Sequence, residues 1–167
     1  MILFLKNLLF TVLIPGTVGV YLPLWLAGRR PPDAPAWAWL LSAPLFLVGA
    51  FVYFWCLWNF AVTGRGTPAP IDPPKKLIIR GPHKYSRNPM YLGVLSVVSS
   101  WAVLFRSPEI LRYGVVVALM FHLVVLVIEE PSLRRLFGAE YEQYCQSVRR
   151  WIPTLPIRGR LYTQGKP

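Results

Sequence analysis

Three segments of this 167-residue chain carry side chains that can do chemistry. The first is Gly81-Pro82-His83-Lys84-Tyr85-Ser86-Arg87-Asn88-Pro89-Met90-Tyr91-Leu92-Gly93. Cations, hydroxyls, an amide and aromatic rings crowd together there on a backbone restricted by prolines. The second is Glu129-Glu130, two carboxylates directly after an apolar run. Acidic groups at the end of an apolar helix are costly unless hydrated or paired, and Arg87 or Arg134 would serve as the partner. The third is His122, seven residues before Glu129 and on roughly the same helical face. Glu130 and His122 are the candidates for taking a proton from a reacting group. Each segment also admits a plainer reading: a basic loop drawn to anionic headgroups, an interfacial stop to a helix, and an imidazole bonded to a neighbouring helix.

Such residues act only if something positions them, and the composition indicates what does. The chain is 54% hydrophobic and only 15% charged, yet carries a net charge of +11. A soluble domain has roughly a quarter of its residues charged, so the class indicated is an integral membrane protein. A basic excess in a soluble chain would point to nucleic acid; beside long apolar runs it points to loops on the cytoplasmic side of a membrane, and no nucleic-acid partner is expected. Cys56 and Cys145 show no metal-ligand spacing and no disulfide framework, and no metal is expected.

A spanning helix needs about 20 mostly apolar residues, because lipid cannot satisfy an open backbone. Four stretches approach this: about 8–27, which Pro15-Gly16 and Pro23 should kink; 36–62; the short 90–105; and 111–128, ending at Glu129-Glu130-Pro131. A signal peptide is the lesser reading of the first, since no convincing cleavage site follows it. Gly93, Ser96 and Ser100 share one face of the third, suited to close helix packing. Residues 106–110 make the last two spans an antiparallel hairpin. Lys6, the loop 64–89 and the tail after Pro131 hold 14 basic residues, against Arg29, Arg30, Arg106 and Arg112 on the other side. The positive-inside rule therefore predicts cytoplasmic termini and a cytoplasmic 64–89 loop, with Trp25, Trp37, Trp39 and Trp101 at the outer interface. Leu133, Phe137, Tyr141, Tyr144 and Val148 recur at helical spacing. They predict an amphipathic helix over 132–149, interrupted near Gly138, that lies on the membrane or covers a cytoplasmic site. The expected architecture is a single all-α domain over 1–167: a membrane bundle of about four helices plus this amphipathic helix.

In this order, the proline-rich loop, the GPxxYxRxPxYxG segment, the apolar hairpin, the Glu-Glu pair and the FGxxYxxY…RWIP ending resemble the isoprenylcysteine carboxyl methyltransferase and phospholipid methyltransferase superfamily of membrane enzymes. The resemblance covers about residues 67–153. It implies an S-adenosylmethionine-dependent methyltransferase acting on a lipophilic or membrane-resident acceptor, with the donor held at the cytoplasmic surface. Carried over by position, it implies that Tyr85, Arg87, Asn88, Pro89, Tyr91, Leu92 and Gly93 line the cofactor pocket, closed by Glu129 and Glu130. Asn88 stands where the prenylcysteine enzymes typically have histidine, and Val125 and Leu126 stand one turn before the Glu pair where an arginine is missing. These departures bear on the acceptor rather than on the cofactor. A phospholipid-type N-methyltransferase is the nearest alternative. A membrane NADPH-dependent reductase and a non-enzymatic membrane scaffold are alternatives of other classes.

Overall fold

Proline at position 23 removes one backbone donor from the first helix, and side chains from two other helices reach the carbonyls left behind. In a computed structural model, which describes residues 8–28, 33–64 and 76–153, helix α1 (Leu8–Leu26) is wound in the wide π register over Val12–Tyr21. The last donor of that register, the Leu22 N–H, bonds Thr17 O, five residues back. The next would be residue 23, which as proline leaves Val18 O without a π partner and Gly19 O without an α partner. Two other helices supply the missing donors: Tyr113 Oη donates to Val18 O at 2.8 Å and Trp101 Nε1 to Gly19 O at 3.0 Å. The prolines that predict a kink thus give a widened turn tied to its neighbours, as a backbone in lipid requires.

Helix α2 (Ala36–Asn59) starts after extended Pro35 and runs on through a π turn at Phe60–Gly64. Its buried positions, Ala38, Ser42, Gly49, Tyr53 and Cys56, form one narrow stripe of mostly small residues. The large side chains Leu40, Leu47, Phe51, Phe54 and Trp58 stand exposed around it, on the face that lipid covers. The stripe packs on α3 (Pro89–Phe105), the central helix, which also meets α1 and α4. At 17 residues α3 is only about 26 Å long. Its enclosed position explains how: Val94, Val97, Val98, Ala102 and Leu104 are buried against protein. Of the small face read from the sequence, Gly93 meets Gly49, and Ser96 Oγ donates to Leu45 O at 2.8 Å. Ser100 bonds back to its own helix, at Val97 O.

A tight reversal leads into α4 (Pro108–Val124). Arg106 adopts φ +50°, its guanidinium donates to Asp33 O at 2.7 Å, and Ser107 caps α4 by accepting from Ile110 N. The structure departs from the expected end of this helix at Glu129-Glu130-Pro131. The backbone continues through a π turn at Val125–Glu129 into α5 (Glu130–Ser147). The Glu130 N–H bonds Val125 O, five residues back, and Pro131 follows in the first turn of α5 without ending the helix. Three helical stretches, Leu8–Leu26, Ala36–Val62 and Pro108–Ser147, are long and apolar enough to cross a membrane, with α3 the shorter fourth. The protein is an all-α integral membrane bundle.

Helix α5 is broken at Gly138, whose φ of +50° and ψ of −124° are open to glycine and strained for other residues. Leu133, Phe137, Tyr141, Tyr144 and Val148 pack against Leu77 and Ile79 of the loop ahead of α3. That loop is seated on the end of α2 at Gly81, with φ +56°; a Cβ there would lie 2.7 Å from Asn59 Nδ2 and 2.9 Å from Trp55 Nε1. Lys6, Arg29, Arg30, Arg65, residues 66–75 and the tail from 154 lie outside the described residues.

Candidate active site

The described part of the loop between α2 and α3, from residue 76 on, is fixed at three heights. The short 3-10 turn Gly81–Lys84 is pinned from α5 by Tyr144 Oη, which donates to His83 O at 2.7 Å. Next, Ser86 Oγ and Asn88 Nδ2 both donate to Arg150 O, at 3.0 and 3.2 Å, while Arg87 N donates to Arg149 O at 3.0 Å. Asn88 then stands at the N-terminal boundary of α3, with no side-chain bond to the helix, and Pro89 opens it. The motif and the chain just after α5 are therefore laced together through backbone groups that no helix satisfies.

Between them lies a cavity of about 90 Å³ where the apolar bundle gives way to α5. Its lining includes Arg87, Asn88, Glu129 and Glu130, together with His83, Phe60, Tyr141 and Tyr144. Glu130 is the electrostatic centre. Arg150 grips it with two hydrogen bonds, Nε to Oε1 at 2.6 Å and a terminal nitrogen to Oε2 at 3.0 Å, and Arg87 stands 3.2 Å from Oε1. Burial pushes the Glu130 carboxyl up. The Arg150 hydrogen bond, with the charges of Arg87, Arg150 and Arg134, outweighs it and holds the group below the usual carboxylate range. Glu129 is placed differently: its partner is Tyr91 Oη, which donates to Oε1. Among the described residues no cation pairs with it.

Two buried nitrogens on this lining, Arg87 Nε and His83 Nδ1, make no hydrogen bond. Arg87 spends one terminal nitrogen on Cys145 Sγ and Glu130 and leaves Nε unused. Burial lowers the His83 imidazole to about 4, against a smaller opposing effect of the Arg80 carbonyl, so His83 is neutral at physiological pH. Unpaired buried polar groups are rare in proteins and ask for a partner.

Of the residues expected in the pocket, Arg87, Asn88, Glu129 and Glu130 come together at the cavity. Pro89 is buried at the start of α3, and Tyr91 is joined to the cavity through Glu129. Tyr85 is 43% exposed and does not line it. Leu92 sits in the first turn of α3, its N–H bonded to Asn88 O, and Gly93 faces α2. His122 also stands apart from the lining: its Nδ1 accepts from Trp151 Nε1 at 3.0 Å. His83, Tyr141, Tyr144 and Arg150 are site residues that the sequence reading does not assign. His83 had a signal, since it lies inside the motif. Tyr141, Tyr144 and Arg150 had one too, as the tyrosines and the arginine of the FGxxYxxY…RWIP ending.

A family model described as phospholipid methyltransferase matches residues 37–140, from α2 into α5. Methanethiol S-methyltransferase 1 of Bradyrhizobium diazoefficiens is 37% identical over 71 residues, which is 42% of this chain and 24% of that protein. The match thus spans about a quarter of that relative's length. No solved structure matches the chain. The family match takes in well over half of the sequence and both halves of the cavity's charged lining, Arg87 and Glu129-Glu130. The chain belongs to the phospholipid methyltransferase family.

Proposed function

We propose that this protein transfers a methyl group from S-adenosylmethionine to a lipophilic, membrane-resident acceptor, at the cavity between the 81–93 motif, Glu129-Glu130 and α5. The observation that carries the reading is the unpartnered Arg87 Nε on a buried lining that also presents two carboxylates and aromatic rings. The donor has complementary groups. Arg87 would hold its carboxylate, the Glu129-Glu130 side would complement its cationic sulfonium and ammonium, and Phe60 and Tyr144 offer ring surface. The fit is chemical rather than volumetric. About 90 Å³ is well under the roughly 300–1,000 Å³ of small-molecule sites, so the lining opens when the donor enters.

When bound, the donor supplies a sulfonium methyl open to in-line displacement. The chain's part is to orient and to exclude water. Arg150 and Arg87 keep Glu130 ionised and stationary, Asn88 and Ser86 fix the motif to the Arg150 carbonyl, and α5 covers the cavity from the polar side. The bundle brings the acceptor in laterally, through the lipid-facing helices. The basic-residue count supports a cytoplasmic site and cytoplasmic termini. The family is named for a phospholipid and the relative for a thiol acceptor, which bracket the acceptor chemistry.

Calorimetry on the detergent-purified chain tests the donor site. S-adenosylmethionine should bind, NADPH should not, and Arg87→Gln should weaken donor binding at least tenfold. Well-folded protein that binds no S-adenosylmethionine would overturn the reading.

A further inference from the structure

The lining of the cavity contains two unlike groupings. One is charged, with Arg87 3.2 Å from the Glu130 carboxylate and Arg150 bonded to it. The other surrounds His83 and is aromatic and apolar. The Phe60 ring stands 5.8 Å from the imidazole at an interplanar angle of 70°, Tyr144 donates its hydroxyl to His83 O, and Leu77 packs on the cluster to which Tyr144 belongs. Each grouping holds one buried nitrogen without a hydrogen-bond partner, Arg87 Nε in the first and His83 Nδ1 in the second. The third such nitrogen, Asn59 Nδ2, is set against Gly81 and is not on the lining. The donor's carboxylate answers Arg87 Nε, and nothing yet answers His83 Nδ1. His83 is only 7% exposed, so this nitrogen has given up bulk water without a protein replacement, a loss that a ligand atom would restore. Burial keeps the ring neutral, and it therefore offers no charge to draw a carboxylate or a phosphate. Ring surfaces beside a single neutral nitrogen suit a flat, uncharged heterocycle, taken by its face and by one edge.

We infer that His83 is the residue that selects the base of the donor, its Nδ1 hydrogen-bonding the amino-bearing edge of adenine while Phe60 and Tyr144 supply the ring surface. The inference rests on the donor-binding reading above and adds the atom by which the base is recognised. Adenine's edge satisfies either tautomer of the imidazole. The exocyclic amino group donates to an accepting Nδ1, and the adjacent ring nitrogen accepts from a protonated one. Hypoxanthine carries a carbonyl in place of the amino group and a proton on that ring nitrogen, so it presents the reverse order. A site built to hydrogen-bond a ligand group rejects an analogue that cannot make the bond. His83 takes no part in the transfer step itself. It is a specificity residue, supplied by the turn that Tyr144 pins to α5.

The test is calorimetry on the full chain in detergent with three probes that need no acceptor: S-adenosylhomocysteine, methylthioadenosine, and methylthioinosine, which differs from the second only in its base. All measurements are made at pH 7. The wild-type chain should bind the first two and prefer methylthioadenosine to methylthioinosine by about tenfold or more. His83→Phe keeps a ring against Phe60 and removes the nitrogen. It should weaken methylthioadenosine by about tenfold and bring the ratio between the two bases to within threefold of unity. A role in packing alone would weaken both probes together and leave their ratio where it stood. The wild-type ratio requires no variant, so it keeps the inference testable if His83→Phe folds poorly. A wild-type chain that binds the two bases equally, or a ratio unchanged in His83→Phe, would overturn the inference. Binding of S-adenosylhomocysteine without binding of methylthioadenosine would also overturn it and leave the donor site standing. Failure of folded protein to bind either S-adenosylhomocysteine or S-adenosylmethionine would remove the underlying reading as well.

Discussion

Glu130→Gln is expected to lower the thermal stability of the detergent-solubilised protein more than any other change at the cavity, and to weaken donor binding with it. The carboxylate's side chain is 7% exposed and lies between the guanidiniums of Arg150, 30% exposed, and Arg87, 11% exposed. Glutamine keeps the shape but removes the negative charge, leaving Arg87 buried without a counterion. Its amide nitrogen also turns a donor toward one of the two arginines. Breaking a buried pair from one side costs on the order of 3–5 kcal/mol, and the partly wet Arg150 puts this site at the low end. The loss should spread, because Arg150 is the residue whose carbonyl holds Ser86 and Asn88. A double-mutant cycle with Arg150→Gln isolates the pair: the double variant should lose clearly less than the sum of the two single losses. Full additivity in thermal unfolding would show that the pair does not hold the cavity together.

The second large effect is expected outside the cavity lining, at the crossing of α2 and α3. A Cβ on Gly93 would lie 2.8 Å from Gly49 O and 3.1 Å from Tyr53 N; one on Gly49 would lie 2.6 Å from Gly93 O. These obstacles are backbone, so no side-chain rotation relieves them and the helices must move apart. Overpacking of this kind costs about 1–3 kcal/mol. Asn88, Arg87 and Tyr91 all lie within two turns of Gly93, at the start of the helix that would be displaced. Gly93→Ala and Gly49→Ala should therefore lower stability and activity to similar extents. If Gly93 served the donor directly, as its place in the motif implies, Gly93→Ala would impair donor binding and Gly49→Ala would not. Parallel thermal and activity measurements on the two variants decide between a packing role and a ligand role.

Much of the architecture was legible in the sequence because a bilayer leaves so few solutions. Long apolar runs must be helices, and three of them are Ala36–Asn59, Pro89–Phe105 and Pro108–Val124, the last two joined by a two-residue reversal at Arg106-Ser107. The amphipathic pattern after Pro131 gave a helix, and Gly138 gave its break. What was not legible depended on which partner each group would find. Proline at 131 reads as a stop, but the π turn before it carries the helix through, and that turn leaves no pattern in residue types. The prolines of α1 predict disruption, whereas Tyr113 and Trp101 from distant helices repair it. At the site, motif membership located Arg87, Asn88 and the Glu pair. It could not distinguish the motif residues that face the cavity from Gly93, which faces α2, or Tyr85, which faces out. The division between Glu129 and Glu130 was equally hidden, since it is made by Arg150, 20 residues away, and by Tyr91 on another helix.

The most direct measurement is transfer of labelled methyl from S-adenosylmethionine to a membrane lipid extract by the purified full chain, followed by identification of the labelled product. Label should appear in a lipophilic, extractable product and should fall to background with Arg87→Gln. Folded wild-type protein that leaves the extract unlabelled would contradict the proposal that this cavity is a methyl-transfer site.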